Sequence, residues 1–386
     1  MKNKKLLMVF THLLTALLAV AITLGAVVIV SVMNPNKLAN LEALIDEVFI
    51  GEVDKTVIED AAADAMVNAL GDRWSYYIPA SQYGAYLEQM NNAYVGIGVT
   101  IALREDGTGL NVEAITPGGP AEEAGLQVGD IVTAADGKSF AGLTLDEMKT
   151  HIQGEANTKV VLTVLRDGEE LSLSVTRKQI QVPVATATML EGNIGLVTIE
   201  NFDARCADET LAAVEQLLSQ GAQKLIFDVR FNPGGYVTEL VRVLDYLVPE
   251  GLIFRSEYYN GETEEEYSDA KELNVPMAVL VNGDSYSAAE FFAVALRDYD
   301  KAVIVGQQTC GKGYFQSVFP LGDGSAVGLS IGKYYTPKGE NLAGVGVTPD
   351  VTVEVTEEMY ADIYYGTVKP EEDPQIQAAI KALNGK

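Results

Sequence analysis

The chain has 386 residues, 54 of them acidic and 27 basic, and its net charge at pH 7 is −27. This acidity excludes a nucleic-acid-binding function, because phosphate binding needs a surface rich in lysine and arginine. Two cysteines, Cys206 and Cys310, are too few for a disulfide scaffold, although they could form one bridge.

Residues 6–33 form an uncharged, apolar run that follows Lys2, Lys4 and Lys5. The run exceeds the ~20 residues that span a bilayer, and no small-residue cleavage site follows it. It predicts an uncleaved transmembrane helix, so residues 1–33 are assigned as a cytoplasmic tip and a membrane anchor. Because the lysines precede the span, we expect a single-pass protein of the cell membrane whose remaining chain is extracytoplasmic.

Residues 34–93 are predicted to form a helical region. Leu38, Leu41 and Ile45 recur at helical spacing, and a second periodic stretch ends at Gly71-Asp72. The simpler interpretation of these apolar faces is packing against a neighbour within the chain. A homodimer contact is the alternative.

Residues 94–180 change to short strands separated by glycine turns, with a hairpin around Asp167-Gly168. The order of these elements resembles a PDZ domain. The resemblance rests on Gly96-Ile97-Gly98-Val99, on the segments 120–126 and 128–131, and on the helix that carries His151.

A PDZ domain implies a site for the C-terminal end of a protein. The backbone N–H groups of Gly96, Ile97, Gly98 and Val99 would hold a terminal carboxylate, and the peptide would add as a strand beside them. The alternative is that the two glycines only form a tight turn. Arg166 is a further candidate for sensing the bound carboxylate.

From residue 181 to residue 386 the pattern alternates between buried strands and amphipathic helices, which predicts a parallel sheet covered by helices. Functional sites in such sheets gather where strands end and helices begin. Ser287 and the pair Gly234-Gly235 both lie at junctions of this kind.

The shortage of histidine restricts the chemistry available to Ser287. His12 lies in the apolar N-terminal run, which leaves His151 for the rest of the chain. A Ser-His-Asp hydrolase needs an imidazole as its general base, so the base of a serine hydrolase here is expected to be a lysine. Lys312, between two glycines, is the candidate. A nucleophilic Cys310 is disfavoured for the same lack of a histidine partner.

A broader resemblance covers almost the whole chain after the predicted anchor. Besides the PDZ segment, it rests on residues 71–77, 228–235, 282–290, 306–316, 334–339 and 346–350. These segments resemble the carboxy-terminal processing peptidases, also called tail-specific proteases. The resemblance implies an α/β, crotonase-like catalytic core over residues 181–386 with an inserted, mostly β PDZ domain. The predicted fold class adds the N-terminal helical region and one transmembrane helix.

The same resemblance implies the roles of the catalytic residues: Ser287 as nucleophile, Lys312 as base and Gln316 as the residue that orients the lysine. Ser285 is a rival nucleophile, but a helix is predicted to start at Ser287. The N–H of Ala288, together with that of Gly234 or Gly235, would then face a developing oxyanion.

Residues 306–312 also match the opening of a nucleotide-binding loop. Gly313, however, stands where a Ser or Thr should bind Mg²⁺, and the following residues 314–319 alternate like a strand rather than a helix. Nucleotide binding is therefore disfavoured.

The predicted function is a membrane-anchored, extracytoplasmic serine endopeptidase that recognises protein C-terminal tails through its PDZ domain and cleaves through an acyl-enzyme. The alternative is a catalytically silent PDZ adaptor that binds C-terminal peptides. Expected partners are proteins or peptides with apolar C-terminal tails and the membrane. A second copy of the chain is the partner in the homodimer alternative named for the helical region. No metal and no cofactor are expected.

Overall fold

The computed structural model describes residues 36–385 and divides into two compact units, with the boundary between Met66 and Val67. The first unit contains α1 (Lys37–Val48) and most of α2 (Lys55–Asn68). Asn36 caps α1, since its Oδ1 accepts the N–H of Leu38 at 3.1 Å. Leu41, Leu44 and Val48 stay about half exposed or more, so the apolar face of α1 is not covered within this unit.

The predicted fold class is corrected in one element. Within residues 36–385, no helix combines the length and the hydrophobicity needed to cross a bilayer. The transmembrane helix is therefore removed from the fold class. The apolar run 6–33 that suggested it lies outside the described residues, and the extracytoplasmic location that depended on the same run stays a prediction.

The second unit begins with a segment that is rich in short strands. Its elements, in chain order, are β1 (Tyr76–Ile78), α3 (Ala80–Met90), β2 (Ala93–Gly96), β3 (Val99–Leu103), β4 (Leu110–Ile115), α4 (Pro120–Glu123), β5 (Ile131–Ala135), β6 (Lys138–Ser139), α5 (Leu145–Ile152), β7 (Lys159–Arg166), β8 (Glu169–Thr176) and β9 (Lys178–Gln181). Strands β3 to β8 form one antiparallel sheet with its own apolar core, which includes Phe140 and Met148. Strands β2 and β9 pair with each other at the two ends of this segment. The chain therefore enters and leaves this segment through two adjacent, paired strands.

The rest of the chain forms two further sheets and their helices. Its elements are β10 (Ala185–Leu190), β11 (Ile194–Ile199), α6 (Cys206–Ser219), β12 (Lys224–Asp228), α7 (Val237–Leu247), β13 (Gly251–Tyr258), β14 (Thr263–Ser268), β15 (Met277–Val281), α8 (Ala288–Asp298), β16 (Ala302–Gly306), β17 (Tyr314–Pro320), β18 (Ala326–Tyr335), β19 (Val351–Thr352), α9 (Glu357–Tyr364) and α10 (Pro374–Asn384). One sheet has the order β10-β11-β12-β15-β16-β19, and all of its pairs after β10-β11 are parallel. The parallel sheet predicted from the strand-helix alternation is present.

The parallel sheet is buried on both faces, which explains why its strands read as continuous apolar runs. In β12, Leu225, Ile226 and Phe227 are fully buried. One face of the sheet packs into the main core with α6, α7 and α8, and the other packs against α10. Because the strands are parallel, their carboxyl ends lie along one edge, and the loops that follow β12, β15 and β16 meet there.

A buried ionic network follows β12 along this edge. The guanidinium of Arg230 donates to both carboxylate oxygens of Asp228, to Asp373 Oδ2 at 2.8 Å and to Gln375 Oε1 at 3.0 Å. The side chains of Arg230 and Asp373 are 5% and 3% exposed. The network therefore attaches the N-terminal end of α10 to the loop that follows β12.

Removing the guanidinium should destabilise the protein strongly, because two buried carboxylates would lose their counter-ion. We expect Arg230→Ala to lower the free energy of unfolding by about 3–5 kcal/mol. Urea denaturation followed by circular dichroism measures this change. The matched control is Arg242→Ala, which removes a half-exposed arginine from its pairs with Asp208 and Glu239 and is expected to cost about 1 kcal/mol. Equal losses in the two variants would contradict this account.

Candidate active site

Ser287 lies at the junction between β15 and α8, in a strained backbone conformation. Its φ and ψ angles are 59° and −124°, a region that non-glycine residues rarely adopt. A Cβ atom added to Gly234 would lie 2.7 Å from the Cβ of Ser287. The loop after β12 and the loop after β15 are therefore in direct contact, and only glycine fits at position 234.

One fully buried carboxylate joins the predicted nucleophile to the predicted base. Oε2 of Glu290 accepts the N–H of Ser287 at 3.0 Å and the N–H of Lys312 at 2.8 Å, while Oε1 accepts the N–H of Gly311 at 2.8 Å and the hydroxyl of Thr309. Burial raises the pKa of Glu290, and these donors oppose that rise. Glu290 thus determines the separation of the backbones at Ser287 and Lys312.

The ammonium group of Lys312 lies among aromatic rings. Its Nζ is 4.9 Å from the centre of the Trp74 ring and 5.7 Å from that of Tyr286. Burial lowers the pKa of Lys312 to about 8, and the nearby charge of Glu290 opposes this shift. The uncharged form, which a general base needs, is therefore a minority at pH 7 and reaches about half of the population near pH 8.

The side chain of Gln316 is hydrogen-bonded to groups other than Lys312. Its Nε2 donates to Ser330 Oγ at 3.0 Å and to the carbonyl of Tyr314 at 3.4 Å. Within residues 36–385, no hydrogen bond joins the lysine to either Gln316 or Ser287. The predicted orienting role of Gln316 stays a prediction, and it requires a change of side-chain conformation.

The three predicted oxyanion donors differ in whether their backbone N–H groups are already hydrogen-bonded. The N–H of Gly234 donates to Asn232 Oδ1 at 2.8 Å, so it is not available, and this part of the prediction is corrected. The N–H groups of Gly235 and Ala288 donate to no acceptor in the described part of the chain. Gly235 and Ala288 therefore remain as the candidate pair.

Ser285 has a structural role, because its hydroxyl is already hydrogen-bonded within the protein. It is fully buried, its Oγ donates to the carbonyl of Val229 at 2.7 Å, and the same Oγ accepts the N–H of Asn282 at 3.0 Å. These bonds attach the loop after β15 to the end of β12. The geometry favours Ser287 over its rival.

A small apolar pocket adjoins Ala288. Its walls are Val237, Leu240, Phe254, Ala288, Phe291 and Tyr334. The space inside holds about one water-sized group. A substrate carbonyl at the candidate oxyanion site would place one neighbouring side chain beside this pocket.

The glycine loop of the β-rich segment has the backbone geometry that carboxylate binding requires. Gly98 has a φ of +75°, and the N–H groups of Ile97 and Gly98 donate to no acceptor among the described residues. Gly96 pairs with Lys178 at the end of β2, and Val99 begins β3 opposite Ile115. Ile97 and Gly98 therefore offer free donors to a carboxylate at the turn between β2 and β3.

Arg166 is already bound within the protein, and its predicted role as a carboxylate sensor is corrected. Its Nε donates to Asp130 Oδ1 at 2.6 Å, and its Nη2 donates to Asp130 Oδ2 at 2.6 Å and to the carbonyl of Gly125 at 2.8 Å. The Asp130 side chain is 1% exposed. Releasing the guanidinium would leave a buried carboxylate without its counter-ion.

Two functional features were missed by sequence reasoning. Glu290 stands three residues after Ser287, a spacing typical of a helix start, but this spacing does not predict its contact with the loop at 311–312. Trp74 lies far from Lys312 in sequence, and no local pattern connects the two.

Comparisons with known proteins found similar sequences and similar solved structures. Residues 193–353 match the sequence profile of peptidase family S41, and residues 112–166 match that of the PDZ domain. A probable CtpA-like serine protease of Staphylococcus aureus is 32% identical over 327 residues, which cover 83% of this chain and 65% of that protein. Its counterpart in Staphylococcus saprophyticus is 29% identical over 359 residues, covering 90% and 72%. The solved structure of the photosystem II D1 C-terminal processing protease matches with a TM-score of 0.47 and 28% identity, covering 83% of this chain and 88% of that one.

The two profile matches define the class of domains: residues 193–353 have the sequence of a family S41 peptidase domain, and residues 112–166 have that of a PDZ domain. The resemblance to the carboxy-terminal processing peptidases is confirmed, and the CtpA-like serine proteases are this chain's relatives. The chain spans 65% of the length of the S. aureus protein, so what the whole of that protein does is considered below as a proposal.

Glu290→Gln should alter the pH dependence of Ser287 reactivity as well as its rate. The neutral amide removes the charge that holds the pKa of Lys312 up, so the midpoint at which Ser287 becomes reactive should move below about 8. The rate of labelling by a fluorophosphonate, measured from pH 6 to pH 10, reports this midpoint. A slower rate with an unmoved midpoint would mean that Glu290 acts through structure alone.

Proposed function

We propose that this chain is a serine endopeptidase that cleaves proteins near their C-terminal tails by a serine-lysine mechanism. The observation that carries the proposal is the buried carboxylate of Glu290, which binds the backbone of Ser287 and that of Lys312. A serine hydroxyl is a weak nucleophile unless a base removes its proton, and a desolvated lysine can do so. The family match and the CtpA-like relatives support the same activity.

The proposed reaction begins when neutral Lys312 takes the proton of the Ser287 hydroxyl. The serine oxygen attacks the scissile carbonyl, and the N–H groups of Gly235 and Ala288 stabilise the oxyanion. The resulting ammonium of Lys312 protonates the amine as the C–N bond breaks, which leaves an acyl-enzyme. Water, deprotonated by the same lysine, then releases the acyl group and regenerates Ser287.

The lysine side chain has to move before this reaction can start. In the structure its Nζ lies against the faces of Trp74 and Tyr286, where a cation-π interaction favours the charged form. A bound substrate that displaces water and moves the lysine away from these rings would remove this stabilisation of the charged form. The neutral form of Lys312 would then be favoured. We therefore expect activation to accompany substrate binding.

The proposed substrate has a free C-terminus and a small apolar residue on the acyl side of the cleaved bond. The free N–H groups of Ile97 and Gly98 suit a terminal carboxylate, and the pocket beside Ala288 suits a short apolar side chain. The first feature recognises the tail, and the second selects the bond.

Cleavage should depend on an uncharged Lys312. Since burial lowers the pKa of this lysine to about 8, kcat/KM is expected to rise with pH as the lysine loses its proton, with a midpoint near 8. Lys312→Arg should lower kcat by about 10²–10⁴-fold at every pH, because guanidinium does not deprotonate. Both are measured with a peptide substrate and quantitative mass spectrometry. Retained cleavage by the arginine variant would refute the lysine base.

The nucleophile is tested by comparing Ser287→Ala with Ser285→Ala on a loosely folded reporter with an apolar tail. We expect Ser287→Ala to abolish cleavage and to leave tail binding intact. Ser285→Ala should instead lower stability, because Val229 and Asn282 lose a buried hydrogen-bond partner. Tail binding without cleavage by the wild type, under conditions in which it is folded, would favour the silent adaptor.

A further inference from the structure

A cleft of about 760 Å³ opens beside the aromatic ring that covers Lys312. Its walls include Arg73, Trp74, Glu257, Tyr258, Tyr314 and Lys333. Clefts of this size accommodate several residues of a bound peptide or a small ligand. None of the residues assigned above to the nucleophile, the oxyanion site or the acyl-side pocket lines it.

The two carboxylates of this cleft accept hydrogen bonds from neutral donors, and its two cations, Arg73 and Lys333, are not paired with a carboxylate of the described residues. Asp72 accepts the hydroxyl of Ser75 at 2.6 Å and the N–H of Trp74 at 3.1 Å, and Glu257 accepts the phenol of Tyr335 at 2.8 Å. In the described part of the chain, neither Arg73 nor Lys333 forms an ion pair. The two carboxylates and the two cations balance in formal charge, but neither cation lies within ion-pairing distance of a carboxylate in residues 36–385, so both stay open to an incoming anion.

Arg73 is held in place without using most of its donors. Its guanidinium carbon lies 4.2 Å from the centre of the Trp74 ring, and one Nη2–H donates to the weakly accepting sulfur of Cys310 at 3.4 Å. Stacking on a ring fixes the plane of the guanidinium and leaves its edge free for a carboxylate. The site is thus preorganised for an anion.

The position of Arg73 relative to Lys312 limits where that anion can be on the substrate. Arg73 Cζ and Lys312 Nζ are 4.2 Å and 4.9 Å from the Trp74 ring, so these two atoms are at most about 9 Å apart. Lys312 must stand beside the departing amine in order to protonate it. An extended peptide rises about 3.3 Å per residue, so Arg73 is reached within about three residues of the cleaved bond.

We propose that Arg73 is a specificity-determining residue that binds a carboxylate of the departing segment, within three residues of the scissile bond. This inference rests on the proposed function of Ser287 and Lys312. The carboxylate can be the C-terminus of a substrate whose tail is short, or an acidic side chain near the cleavage site. In either case the cleft recognises the departing segment at a site different from the glycine loop of the PDZ domain.

The test compares peptides that share one acyl side and differ in the departing segment. This segment has two or six residues, and it ends in a free acid, in an amide, or in an amide with glutamate as the last residue. The full chain is used as wild type, as Arg73→Gln and as Arg242→Gln, and Ser287→Ala serves as the blank. Arg242 is exposed and paired with Asp208, so it provides a matched loss of one arginine.

The measured quantity is the ratio of kcat/KM for the free acid to that for the amide, because a ratio is independent of the active fraction of each preparation. For the two-residue segment we expect a ratio of about ten in the wild type and in Arg242→Gln, the size expected for a charge-assisted hydrogen bond. The ratio should fall to about one to three in Arg73→Gln, since any preference due to the glycine loop remains. For the six-residue segment, Arg73→Gln should leave the ratio unchanged.

The outcomes separate this inference from the function on which it rests. Glutamate amides cleaved as fast as free acids would assign the carboxylate to acidic side chains, and slow cleavage would assign it to the C-terminus. An unchanged ratio in Arg73→Gln, or an equal change at both segment lengths, would overturn the inference while leaving the peptidase intact. Equal cleavage of all peptides by wild type and Ser287→Ala, or none by either, would overturn the proposed function as well.

Discussion

The buried carboxylate of Glu290 is the interaction on which the geometry of the site depends. It is fully buried, yet it accepts hydrogen bonds from the backbones of Ser287, Gly311 and Lys312. A buried charge without such donors would cost several kcal/mol, so α8 and the loop before β17 must keep their relative positions as long as Glu290 is ionised. Its charge also opposes the effect of burial on the pKa of Lys312. One residue therefore contributes to both the position and the protonation of the base.

The parallel sheet provides the framework that makes this contact possible. The strands β12, β15 and β16 run side by side, so the loops at 229–235, 282–287 and 307–313 emerge at the same edge. Gly234 allows the first loop to touch Ser287, and the strained φ of Ser287 turns the second loop into α8. The strain persists because Ser285, Asn282 and Val229 are joined by buried hydrogen bonds around it.

Much of this arrangement could be predicted from the chain, and the errors have identifiable causes. The parallel sheet, the strand-rich segment and the junction at Ser287 follow from local patterns that the structure contains. Arg166 was misjudged because its partner, Asp130, lies 36 residues away in sequence, just before β5. The donor at Gly234 was misjudged because its N–H is bonded to the side-chain oxygen of Asn232, two residues earlier. The transmembrane helix was inferred from hydrophobicity over residues 6–33, and no helix of residues 36–385 supplies one.

By itself, the sequence determined the elements and the types of chemistry available. The spacing of apolar residues along the chain predicts strands and helices. The shortage of histidine leaves lysine as the candidate base for a reactive serine. Only the tertiary structure decided which donors stay free, that Lys312 lies against Trp74, and that Gln316 faces Ser330. The physical reason is that burial and hydrogen-bond partners depend on residues far apart in the chain. Local patterns contain no information about such distances, whereas the packing of the sheet and its loops specifies them.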